Sequence, residues 1–370
     1  MNGQWIGPFT GTNSGTLVLE LDDVGNQYEG VAYAYNAIRD QPPIFAELRI
    51  QKDQPKQKVR VQLLPIERGP GTIISRENLA KTYPTLTAAN YADTEWNISP
   101  SRISITWNTD IGTNGTAQIL KSEAASDSAL IPLPSISTWK EFREYAVTLT
   151  PYRFLFRGQE DKRWKLRTSF HRTGRASIPK FSIQDMTALH RHLSGLTAHR
   201  FDLGNALDNA AFLNLVQHHG YPTPLLDWTQ SPFIAAYFAY RNLLQGRYAS
   251  DQKVRIHVFD GRAWNIDHER APVLNPAFLH VTVLEPLAIN NPRTVPQQSV
   301  STVTNIDDME KYIHEREVDA HKTYLSAIDL PAIERKTVIR ELDLMGINAG
   351  SLFPGLDGAC GQLRERFFDL

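Results

Sequence analysis

The strongest constraint in this 370-residue chain is a change of hydrophobic period partway along it. Up to about residue 123 apolar residues recur at every second position, the rhythm of a half-buried strand. From Ser137 onward they recur every three to four, the rhythm of a helix. A block of strands followed by mixed elements reads as two domains. The boundary falls in a small, polar, Pro-bearing stretch, residues 124–136, with the composition of a linker.

Residues 1–123 read as antiparallel β. Thr16–Leu21 alternates, Asp22-Asp-Val-Gly-Asn26 supplies turn chemistry, and Tyr28–Tyr35 alternates again. Further strands are expected over Phe45–Gln51, Lys58–Ile66, Ser101–Trp107 and Thr116–Lys121. The last two flank Asn114-Gly115, a dipeptide suited to the positive φ of a tight hairpin. Short strands with no convincing helix predict a small antiparallel barrel or sandwich. Residues 137–370 read as α+β. Thr138-x-x-Glu141 has the form of a capping box. Tyr152–Phe156, Val254–Asp260, Leu279–Leu284 and Lys322–Leu330 read as strands. Ser182–His199, Asp208–His218 and Pro331–Leu344 read as helices, the last closed by Gly346.

Charge separates the halves too. The whole chain sums to −1, but residues 1–123 hold 11 basic and 13 acidic residues and no His, whereas all 11 His lie beyond. Between Arg153 and Lys180 nine basic residues face two acidic ones. That density suggests a polyanionic ligand, whether nucleotide or nucleic acid, against the alternative of a solvated loop. No apolar run is long enough for a membrane span, and the N-terminus lacks a basic start and an apolar core for a secretory signal. One cysteine, Cys360, excludes an internal disulfide, is expected to be a small buried residue, and suits a cytoplasmic location. Glycine-rich dinucleotide, P-loop and nucleophile-elbow motifs are absent from the sequence, which sets those chemistries aside. The histidines have no zinc-ligand spacing, so no metal is expected.

Three segments resemble one family. Phe154-Leu-Phe-Arg-Gly-Gln159 contains the Phe-Arg-Gly signature of the FRG domain. Gln217–Ala239, with His218-His-Gly-Tyr-Pro and Leu226-Asp-Trp-Thr-Gln-Ser-Pro, is similar to its central block. Ser351-Leu-Phe-Pro-Gly-Leu-Asp-Gly358 is similar to its C-terminal block. Pro224 departs from the family, many of whose members carry Arg there. A second resemblance, to ADP-ribosyltransferases, implies a split sheet with an NAD pocket on three separated β segments. It assigns Arg157 and Gly158 to the first, Asp227, Trp228, Thr229 and Ser231 with Tyr237 of the following helix to the second, and Gln297 to the third. Arg157, Thr229, Gln297 and His219 are then the catalytic candidates, with NAD as the substrate.

Cleaving the glycosidic bond of NAD builds positive charge on the ribose, so the protein chiefly positions and stabilises charge. Arg157 offers a fixed fork of donors for a phosphate, and Gly158 a close backbone approach to a ligand. Gln297 is a weaker base than a carboxylate, which makes Glu310, Glu315 and Glu317 alternatives. Trp228 stacks on the nicotinamide or fills the core; Asp227 organises the pocket or pairs with a basic residue. Ser231 before Pro232 is equally an N-cap, and His219 equally a residue favoured at a helix C-terminus. The expectation is a toxin or defence effector that modifies nucleic acid, RNA or DNA, or protein, with an antitoxin or chaperone as partner. The alternatives are a non-enzymatic nucleotide- or nucleic-acid-binding module and an NAD glycohydrolase.

Overall fold

A computed structural model describes residues 1–38, 40–243, 248–271 and 273–369. The first domain is one antiparallel sheet of nine strands: β1 (Gly3–Gly11), β2 (Gly15–Asp23), β3 (Gln27–Asn36), β4 (Ile44–Gln51), β5 (Lys56–Gln62), β6 (Leu64–Pro65), β7 (Tyr91–Ile98), β8 (Arg102–Thr109) and β9 (Asn114–Lys121). Their order is β5-β7-β8-β9-β1-β2-β3-β4-β6. The sheet curls until β4 and β5 nearly meet. Gln57 staples that seam, accepting from Gln51 N at 3.1 Å and donating to Gln51 O at 3.2 Å. The result is a nearly closed barrel whose inward positions, every second residue, form one apolar cluster from Trp5 and Leu19 to Trp96 and Ile119.

The predicted strands are present except that the one expected over Lys58–Ile66 is broken at Leu63 into β5 and β6, at opposite edges of the sheet, and the structure adds β1, β7 and a short helix, Arg76–Thr82. The β8–β9 hairpin turns at Thr109–Thr113, closed by Thr109 N donating to Thr113 O at 2.9 Å, and not at Asn114-Gly115. Gly115 lies inside β9. A Cβ there would sit 2.3 Å from the Trp107 ring and 2.6 Å from Thr10 O, so its glycine serves a close strand approach.

The second domain is built on a six-stranded antiparallel sheet: β10 (Leu155–Gln159), β11 (Leu225–Thr229), β12 (Lys253–Phe259), β13 (Val281–Leu284), β14 (Ser299–Thr304) and β15 (Leu325–Pro331). The order is β13-β14-β11-β10-β12-β15. Helices Trp139–Ala146, Pro232–Tyr240 and Arg335–Leu344 share one apolar cluster with strands β10, β12 and β15. A second cluster joins the sheet to the helices Gly261–Asp267 and Met309–Ala320. The architecture is α+β. The capping box at Thr138 forms, and Gly346, at φ +80°, closes Arg335–Leu344. The strand expected over Tyr152–Phe156 begins later, at Leu155, because Tyr152 occupies a left-handed turn at φ +60°. The helix expected over Ser182–His199 runs from Phe181 as a π-turn and ends at Leu193. Cys360, expected inside, is exposed on the helix Leu356–Arg364.

Residues 124–136 run across the second domain. Arg255 donates to Ser128 Oγ and Leu130 O, and Leu133 N donates to Ala327 O. The outer face of β2 and β3 packs Val18, Val31 and Tyr33 against Ala277. The buried Gln4 side chain donates to Asn305 O at 2.6 Å and accepts from Asp307 N at 2.9 Å. Glu20 and Asp22 accept from Ile178 N and Ala176 N. No described helix is long and apolar enough to cross a membrane.

Candidate functional site

Three neighbouring strands, β14, β11 and β10, meet around one register line. Phe156 faces Thr229, and Thr229 faces Ser299. β10 and β11 share only that register pair; beyond it they part. Asp227 O thus lacks a strand partner on this side, and the Arg157 guanidinium fills the place, donating to it at 2.6 Å. The parting strands leave an open cavity of about 340 Å³. Phe156, Arg157, Gly158, Gln159, Glu160, Trp164, Arg172, Asp227, Trp228, Thr229, Ala235, Phe238, Asn242, Gln297 and Ser299 line it. The volume lies at the small end of the range for small-molecule pockets.

The cavity contains unmet hydrogen-bonding capacity. Gln159 is 5% exposed, yet neither its amide nitrogen nor its oxygen has a partner among the described residues. Arg157 Nε is also buried and has no partner among the described residues. Burial pushes the Arg157 guanidinium down to about 10, with Asp227 opposing the shift and Arg172 adding to it; it stays charged at neutral pH. Burial and Arg167 also lower Arg172. Buried polar groups are ordinarily satisfied, because each one left bare costs about 1–3 kcal/mol. In this cavity the Gln159 amide and the Arg157 Nε are left without a partner among the described residues. Trp164, 52% exposed, stands at the rim.

Seven of the nine basic residues in the basic stretch fall into two sets. Arg153 pairs with Asp260, Arg163 with Asp161, Lys165 with Asp308, Arg167 with Asp307 and Arg175 with Asp185, each at 2.8 Å or less. Arg157 and Arg172 have no ion pair of that kind among the described residues and both line the cavity.

Each residue named from the sequence now has a place. Gly158 lines the cavity, but its lack of a side chain serves packing: a Cβ would lie 1.9 Å from Ala235 O, so the helix Pro232–Tyr240 rests directly on β10. Asp227 is exposed and its carboxylate accepts from Gln217 and, at 3.4 Å, from Ser301. The Trp228 ring is 3% exposed, stacks on Phe259 at 5.4 Å and donates to Thr302 Oγ1, so it belongs to the core. Thr229 is buried; its hydroxyl donates to Gln297 O at 2.8 Å and accepts from Ser231 N, locking the strand end to the loop before β14. The Gln297 side chain donates to Leu352 O at 2.9 Å, while Gln298 takes a left-handed φ of +47° to turn the chain into β14.

Ser231 caps its helix by accepting from Ile234 N at 3.3 Å and is not among the lining residues. Tyr237 is fully buried and its hydroxyl donates to Glu365 at 2.5 Å, which directs it into the core, away from the cavity. His219 is exposed at the end of the helix Ala206–His218, outside the lining set. Glu310, 5% exposed, accepts from Ser128 Oγ and Leu166 N and lies 3.5 Å from His257 Nε2. Glu317 accepts from Tyr324 N and Leu325 N. Neither reaches the cavity, and Glu315 does not line it; its carboxylates are Asp227 and Glu160. No group of three His, Cys, Asp or Glu among the described residues could hold a metal.

Gln159, Trp164 and Arg172 were not singled out from sequence. Strand alternation does signal Gln159, since it shares a face of β10 with Arg157.

Residues 152–247 match the family described as the FRG domain. The span takes in β10, β11 and the helix Pro232–Tyr240, and therefore most of the cavity wall. The Ser351–Gly358 segment lies beyond it but abuts the wall, with Phe353 edge-on to Phe238 at 6.1 Å and under the Arg241 guanidinium at 4.3 Å. No curated protein matches the chain. A solved structure of a redesigned beta barrel is similar at 14% identity, over 33% of this chain and 91% of that one, with a TM-score of 0.23.

Proposed function

We propose that the cavity between β10 and β11 binds NAD and that the protein is an ADP-ribosyltransferase-like enzyme acting on nucleic acid or protein. One observation carries this reading: two arginines without carboxylate partners and an unpartnered Gln159 amide converge on a single cavity. Arg157 and Arg172 suit the pyrophosphate. Gln159 suits a carboxamide, which needs a donor and an acceptor together. Trp164 offers a face for stacking.

In the reaction, the bond from ribose C1′ to the nicotinamide nitrogen breaks with its electron pair leaving on that nitrogen. The acceptor's nucleophile then bonds to C1′ and gives up its proton to a cavity carboxylate, and from there to solvent. Asp227 and Glu160 are the cavity carboxylates that can stabilise the cationic ribose. With Glu310 and Glu317 committed elsewhere, Asp227 takes the role that a downstream glutamate or Gln297 was expected to fill.

The rival is a nucleotide-binding module without turnover. It gains support from the Gln297 amide and the Thr229 hydroxyl, which are both engaged in structural hydrogen bonds. Calorimetry with NAD and assay of released nicotinamide separate the two. Binding with nicotinamide release, and binding weakened about tenfold or more by Arg172→Ala, which is about 1.4 kcal/mol per decade, is the expected result. Binding without release assigns the module. No binding at millimolar NAD or ATP removes both readings.

A further inference from the structure

The barrel contains a second cavity, unlike the first in every chemical respect. Its volume is about 210 Å³, and among its described lining residues none carries a charge. The period-two rhythm of the strands explains how it arises. Inward positions at one end of the barrel hold Trp5, Leu21, Ile50, Ile103 and Ile119, all fully buried, and that end is solid. Towards the other end the inward positions of β3, β4 and β7 include four alanines, Ala32, Ala34, Ala46 and Ala92. Small barrels fill their interior with side chains when the sizes suffice, and one of about eight strands is just wide enough to hold one small ligand when they do not. The alanines withhold that filling. The hairpins around Asn13 and Thr113 and the segment 86–89 surround the mouth.

The polar groups deep in this cavity ask nothing of a guest. Trp96 Nε1 donates to Thr94 Oγ1 at 2.6 Å, and that hydroxyl donates in turn to Val59 O at 2.6 Å. An apolar void of this kind does not hold water well and takes up apolar molecules. We infer that the barrel is a binding site for an uncharged, predominantly apolar small molecule, of ring or short-chain size, entering at the alanine-lined end. Desolvating a charge against such a wall is unfavourable, so the site selects against ionic amphiphiles of the same length.

The full chain titrated with the neutral fluorophore N-phenyl-1-naphthylamine tests this. Saturable binding at one site per chain is expected, with displacement by 1-decanol at least tenfold more effective than by decanoate or decylammonium. Ala46→Phe, which fills the cavity from β4, is expected to weaken probe binding tenfold or more while circular dichroism and the melting temperature are retained. Should that variant fail to fold, Ala34→Leu, nearer the mouth, makes the same test. Arg172→Ala, in the other cavity, leaves probe binding unchanged. Absence of saturable fluorescence, equal displacement by decanoate, or unaltered binding in a folded cavity-filled variant overturns the assignment.

Discussion

The barrel and the α+β domain both carry ion pairs on the surface, but among the described residues only the second also sinks pairs into its interior. In the barrel Lys58–Glu95, Arg60–Asp93 and Lys81–Glu77 lie on the outside, with side chains more than half exposed. In the second domain Lys165–Asp308, Arg167–Asp307 and Arg255–Asp329 are sunk into the fold. The cavities follow the same division: one is lined by neutral groups alone, the other by two arginines, two carboxylates and a bare amide. The comparison teaches that a cavity inherits the chemistry of the interior that surrounds it. On the two proposals made above, an interior with no ionised groups makes a site for neutral guests, and one already organised around buried charge holds two more arginines open for an anion.

The sharpest way to break the contrast is to remove one member of a buried pair. Arg255→Ala is expected to cost about 3–5 kcal/mol in chemical denaturation, because Asp329 is left buried and unpaired; a loss no greater than that of Lys58→Ala, where no measurable change is expected, would erase the distinction. Next comes the wall between β10 and its helix. Gly158→Ala sets a Cβ against Ala235 O and is expected to cost about 3 kcal/mol, and NAD binding should fall with it as the cavity deforms.

A third test concerns the interface, where Glu20 on the outer face of β2 is buried and desolvation pushes its carboxyl up to about 8. The unfolded chain ionises near the ordinary value while the folded chain stays protonated. Stability therefore falls as pH rises from about 4.5 to about 8, at about 1.4 kcal/mol per pH unit, and levels off above. Urea melts of Glu20→Gln should lack that slope. The smallest expected effect is the most informative about the site. Gln159→Leu should raise stability by about 1 kcal/mol, by removing a bare buried amide, while weakening nucleotide binding. A stability loss instead would mean that Gln159 has a structural partner.

Much of the barrel was legible because strand-favouring residues fall between turn signals, as in Thr16–Leu21 and Tyr28–Tyr35 on either side of Asp22–Asn26. β1 was missed because Gly7 and Pro8 interrupt the pattern; the ladder to β9 lapses at both residues. β7 was missed because its outward positions are Asp93, Glu95 and Asn97, residues disfavoured in strands, and only the inward Ala92, Thr94 and Trp96 reveal it. In the site, Arg157, Asp227 and Gln297 could be named because each belongs to a readable segment. Trp228 and Tyr237 sit in equally readable segments, but which face of a strand or helix meets a cavity depends on what packs behind it. Arg172 was hidden among eight other basic residues, most of which the fold consumes in ion pairs.

The strand order has one more consequence, for the sequence of events by which the molecule is assembled. Of the nine barrel strands β1 is synthesised first and β9 last, yet they are neighbours in the middle of the sheet. Until β9 arrives, β1 has a partner on one edge only, and Gln4 still awaits carbonyl and amide groups 301 and 303 positions further along the chain. Such long-range closure slows folding. The barrel's central strand is thus both its oldest part and the part that must wait longest to be finished.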